Sequence, residues 1–218
     1  MQPALRLFED TIGGIVSELK LPPLPRMLFV VHGAVTIDGK TFADGEAWHG
    51  AGEAALVPGK DGVTVWRYEL APPGGGGSAA SGPGVTSREK LSAVLDTLPK
   101  GELLLRGDSV AFPPGGCAYL HRHQGPGIRC LLEGGIRIDT HGRSTSYGPG
   151  GAWYESGPDP VFAQAAVDRP SRFIRVMILP RALLGKSSIQ YLNEDDKAKP
   201  RVQQYKILAD AAIERPGG

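Results

Sequence analysis

His121 and His123, in Cys117-Ala118-Tyr119-Leu120-His121-Arg122-His123, carry the clearest chemical signal in this chain. Side chains alternate along a strand, so two histidines one residue apart project from the same face. Neutral imidazole nitrogens suit one divalent Fe, Mn, Ni, Cu or Zn ion, and the pair makes half of a metal site. The same alternation puts Cys117 and Tyr119 on the histidine face. Two ligands are few for such a site, and Glu155, in Trp153-Tyr154-Glu155, is the carboxylate that could complete it. Glu155 and Tyr119 are also the candidate catalytic groups. Arg129 could clamp an anionic ligand through a bidentate contact, or pair with Glu133 or Glu155 as a structural bridge. Trp153 and Gln164 complete the expected substrate-binding set. Cys117 reads as a small core residue rather than a soft metal ligand or redox thiol, Cys130 should face away from the cavity if Arg129 faces in, and His141, in a glycine turn, reads as a solvated side chain.

The elements that hold these residues should be strands. Glycine (31) and proline (19) approach a quarter of the 218 residues, which favours strands joined by tight turns. A repeat supports this reading. Met27–Ile37 lies over Ile128–Ile138 at an offset of 101, and Phe42–Trp48 over Tyr147–Trp153 at an offset of 105. Trp66–Leu70 and Phe173–Leu179 are the expected closing strands of the two copies. The copies imply one unit over 1–72 and another, carrying the site, over 100–185. Between them, 73–99 reads as a Gly/Ser/Pro-rich linker, concentrated in 72–84, followed by a short helix from Ser87 to Leu98. The tail, 186–218, should carry a helix near Val202 to Ile213.

The spacing of Gly115, His121, His123 and Gly134 resembles the first motif of the cupin superfamily. The resemblance implies an all-β chain of two tandem double-stranded β-helix (jelly-roll) barrels with a few short helices, an arrangement called a bicupin. It also implies a glutamate at 127 and a further histidine near 161–162. This chain has Gly127, Val161 and Phe162 there, so the pattern is incomplete, and an arginine two residues after Gly127 would turn the cavity toward anions. In the first copy Lys20 and Pro22 stand where His121 and His123 stand in the second. His32 and His49 lack the paired spacing, and the first copy reads as a scaffold.

Three functions follow as expectations. One is a metal-dependent dioxygenase or isomerase acting on a small, anionic or oxygenated organic molecule. The second is a metal-free ligand-binding barrel, and the third a structural bicupin. A homodimer and an internal pairing of the two barrels both remain open. A net charge of +1 gives no electrostatic case for nucleic acid or an anionic membrane. No apolar run approaches a membrane span, the first residues lack a signal-peptide pattern, and two cysteines make no disulfide framework. A cytoplasmic location is expected.

Overall fold

A computed structural model describes residues 2–75 and 77–216, so Gly76 of the expected linker and the terminal Met1, Gly217 and Gly218 lie outside the described residues. The chain divides into two compact units. One runs to Asp96 and takes in the last residues from Ile213; the other is Thr97–Ala212.

The first unit is built from β1 (Ala4–Ile12), β2 (Leu19–Leu21), β3 (Arg26–Ile37), β4 (Lys40–Ala43), β5 (Ala47–Gly50), β6 (Ala54–Ala71) and β7 (Val85–Val94). Its antiparallel sheet has the order β4-β3-β6-β1-β7, with β2 on β6 and β5 on β3. Ile12, Leu28, Val35, Phe42, Leu56 and Val65 form its apolar core.

The second unit contains β8 (Leu103–Phe112), β9 (Cys117–His123), β10 (Gly127–Glu133), β11 (Ile136–Thr140), β12 (Arg143–Tyr147), β13 (Ala152–Glu155), β14 (Val161–Ala165), β15 (Ser171–Pro180), β16 (Ile189–Tyr191) and β17 (Gln204–Ile213). They form two sheets, β13-β10-β15-β8-β17 and β12-β11-β14-β9-β16. Val110, Phe112, Leu131, Trp153 and Phe173 of the first sheet and Ala118, Ile136, Ile138, Val161 and Ala163 of the second form one buried apolar cluster. The strands alternate, and the period of two puts these residues between the sheets. Among the described residues, helix is confined to Arg181–Leu183 and Glu194–Lys197.

Strand pairing reproduces the repeat. Leu28 pairs with Trp48 on one side and Arg67 on the other, as Arg129 pairs with Trp153 and Arg175. Gly33 and Gly134, superposed in the repeat, have φ of +90° and +84°. A Cβ at either would lie 2.3 Å or less from a backbone carbonyl oxygen, so only glycine fits these turns.

Both expected helices are strands. Ser87–Val94 lies in β7, antiparallel to β1, with a register shift opposite Leu7/Phe8. Leu91, Val94, Leu95 and Leu98 suggested a helical stripe, but Leu91, Ala93 and Leu95 also alternate, and Ala93 and Leu95 are the buried ones. The edge of β1 supplies hydrogen bonds that an isolated helix lacks, and tertiary pairing overrides local preference. The terminal segment is β17, laid along β8, where Arg106 holds Asp210 through two contacts of 2.9 Å.

Candidate metal centre

The interior of the second unit turns polar beyond Trp153 and Phe173. β9 brings His121 and His123 from one sheet, both 4% exposed. From the facing sheet come Arg129 on β10, Glu155 on β13, Arg175 on β15 and Asp108 on β8, all buried. The ligand atoms of His121, His123 and Glu155 lie within 4.8 Å of one another. They line a cavity of about 20 Å³, with Arg129, Trp153 and Arg175 in its wall. That is room for a single water or ion.

Each of the three side chains is oriented by a specific contact. The Nδ1 of His121 lies 2.7 Å from the Tyr119 carbonyl oxygen. A carbonyl can only accept, so Nδ1 carries the proton and the Nε2 lone pair stays free. His123 has Ser188 Oγ 3.3 Å from Nδ1 and Arg175 Nη1 3.4 Å from Nε2. Arg175 is itself held by Asp108 through two bonds of 2.8 Å. Trp153 Nε1 donates to Glu155 Oε1 at 2.9 Å. The other carboxylate oxygen, Oε2, lies 2.8 Å from Arg129 Nη2 and 3.7 Å from His123 Nε2. Although that ion pair is close, neither Oε2 nor Nη2 has an aligned hydrogen-bond partner. A buried carboxylate oxygen with no such partner, facing a one-atom space and two imidazoles, is what a metal ligand needs before the ion arrives. The donor set of two histidines and one carboxylate suits a divalent transition metal.

Electrostatics keep the histidines neutral. Burial lowers the pKa of His121, partly offset by Glu155. Burial and then the Arg175 and Arg129 charges push His123 well below 6.5. Burial also lowers Arg129 to about 10, against the pull of Glu155. As pH falls below about 6.5, the unfolded chain therefore takes up more protons on these two histidines than the folded chain does. The metal-free protein should lose stability on acidification through this window. Urea midpoints at neutral and mildly acidic pH test this; His121→Gln/His123→Gln should flatten the dependence.

The other expected site residues divide. Arg129 and Trp153 join the cluster. Tyr119 and Gln164 do not. Val161 pairs with His121 but Ala163 with Ala118, so β9 carries one extra residue between them. This bulge resets the alternation. Ala118 faces the cavity, while the Tyr119 ring lies outside it under the Lys199 ammonium. Cys117 moves out with it, opposite Gln164, whose amide donates to the Gly115 carbonyl at 2.8 Å. Tyr119 acts on the site through its carbonyl alone. Gly127 is not simply an empty ligand position, because a Cβ there would meet the Val176 carbonyl at 2.5 Å and Arg129 Nη1 at 3.0 Å. Arg175, Asp108 and Ser188 were not expected. A lone arginine inside the apolar run Phe173-Ile174-Arg175-Val176-Met177 was their one available signal.

The fold has solved counterparts. AerE from Microcystis aeruginosa matches 83% of this chain and 89% of its own, at 13% identity and a TM-score of 0.56. A variant salicylate 1,2-dioxygenase from Pseudoaminobacter salicylatoxidans, in complex with gentisate, matches 80% and 68%, at 12% identity and 0.56. A variant oxalate decarboxylase from Bacillus subtilis matches 84% and 72%, at 13% identity and 0.51. The chain has the cupin fold. No family model matches it, and no curated protein does. In this cupin fold the incomplete first motif keeps its two histidines at the cavity, and Glu155 reaches the same cavity from β13. No helix among the described residues is long and apolar enough to cross a membrane.

Proposed function

We propose that the cupin barrel of residues 97–212 holds one divalent metal ion through His121, His123 and Glu155 and binds a small anionic organic molecule, as a metal-dependent dioxygenase or isomerase. The observation that carries this reading is the Glu155 Oε2 atom, buried and without an aligned hydrogen-bond partner. When bound, the ion would supply Lewis-acid or redox chemistry at open coordination positions. The chain does the rest. Tyr119 O and Ser188 orient the imidazoles, and Trp153 fixes the carboxylate. At neutral pH the charges of Arg129 and Arg175 cancel those of Glu155 and Asp108. A divalent ion would leave two positive charges buried, and an anionic ligand would reduce that excess. Salicylate and oxalate, named in two of the fold counterparts, are carboxylates of this kind.

A second reading is favoured by the 2.8 Å approach of Arg129 to Glu155. In it the arginine replaces the metal, and the barrel binds its ligand without one. Cobalt(II) titration of the chelator-treated protein separates the two. The first reading expects one equivalent bound with visible d–d absorption, and affinity at least about tenfold lower in Glu155→Gln. Weak binding that is indifferent to Glu155→Gln would leave the second.

A further inference from the structure

The space around His121, His123 and Glu155, about 20 Å³, cannot admit an organic molecule. A second cavity in the same unit, of about 210 Å³, shares Arg175, Ile189 and Tyr205 with it. The larger space is assembled from β15, the segment around Lys186 and Ser188, and β17.

We propose that this outer cavity binds the organic body of a small monocarboxylate, with Ile189, Tyr205 and Ile207 against its apolar part and Lys186 drawing its carboxylate. The inference rests on the reading of the barrel as an anion-binding site, and adds the place, size and charge of the ligand. A cavity of about 150 Å³ lined by aliphatic and aromatic side chains holds benzene, so this one suits a molecule of roughly eight to ten heavy atoms. Charge sets the sign. The lining carries Arg106, Arg175 and Lys186 and the one carboxylate Asp108, and Arg106 is matched by Asp210. Arg175 is matched by Asp108, which leaves the exposed Lys186 ammonium as the cation without a salt bridge among the described residues. Ser188 ties this cavity to the inner one, because it lines the outer cavity and its hydroxyl lies 3.3 Å from His123 Nδ1. Tyr205, 46% exposed, and Ile189 form the wall that an occupant would displace to reach the histidines.

The test uses the whole chain and a panel of monocarboxylates from butyrate to benzoate, with benzamide as the neutral match. Protein-observed NMR and calorimetry follow binding, and metal content is measured on the same samples. The expected result is a dissociation constant on the order of 10⁻⁴ to 10⁻³ M for benzoate. Benzamide should bind at least about fivefold more weakly, and shifts should centre on Ile189 and Ile207. Ile207→Trp, which fills the cavity from a position already 54% exposed, should weaken benzoate at least about tenfold with the melting temperature kept. Lys186→Ala should weaken it a few-fold. No binding by any carboxylate at millimolar concentration, equal binding of benzamide, or unchanged affinity in Ile207→Trp would each overturn the inference. Carboxylate binding without any metal would uphold it while removing the metal from the account.

Discussion

Arg67→Ala is expected to destabilise the protein by about 3–5 kcal/mol. Arg67 lies on β6 at 1% exposure, within a network whose other members, Asp10, Glu69 and Arg26, are all at 0%. Its Nε lies 2.5 Å from Asp10 Oδ2 and its Nη1 2.6 Å from Glu69 Oε2, while Arg26 Nε reaches Glu69 Oε1 at 2.9 Å. The guanidinium also stacks 4.3 Å from the Phe8 ring. Truncation would leave the buried Asp10 carboxylate without its guanidinium partner, held by the Ser87 hydroxyl. The network gains little net stability over a well-packed apolar core, but breaking it strands a charge, and the cost lies in the stranding. Denaturant melts of wild type and variant measure it; a loss below about 1 kcal/mol would mean that water reaches the network and relieves the carboxylate.

In Arg129→Met, metal affinity is expected to rise by about tenfold or more, while the metal-free protein becomes less stable. The substitution keeps most of the side-chain volume and removes the charge that faces Glu155 at 2.8 Å. A unit charge a few ångström from a divalent ion opposes it by several kcal/mol even at an effective dielectric of about 20, so tenfold is a small share of the available effect. Without metal, Glu155 would be left with Trp153 alone and its second oxygen unpaired. The two effects have one signature, a melting temperature that starts lower than wild type and gains more on metal addition. If Arg129 instead replaces the metal, the variant should gain nothing from metal.

The sequence carried the residues of the candidate metal site better than their surroundings. A His-x-His pair on a strand needs only the period of two, and Glu155 followed from the position of Trp153 in the repeat. Tyr119 was placed in the cavity by the same period, and a single inserted residue in β9 removed it; Gln164 was offered for the vacated histidine position of the resemblance, and the regular alternation of β14 turns it away from the buried Val161, Ala163 and Ala165. A bulge leaves no mark in composition or spacing, because it depends on the register of the partner strand. Arg175 depends on Asp108, 67 residues earlier, and only the antiparallel pairing of β15 with β8 brings them opposite each other. The two misread helices share a cause. β7 and β17 lie at sheet edges, where half-exposed side chains satisfy a spacing of 3.6 nearly as well as one of two.

The central claim is that His121, His123 and Glu155 hold a metal ion, and elemental analysis of the purified protein beside His121→Ala/His123→Ala tests it most directly. The account predicts near-stoichiometric Fe, Mn, Ni, Cu or Zn in the wild type, or on reconstitution, and its loss in the variant. No metal in either protein after reconstitution, or equal metal in both, would contradict it.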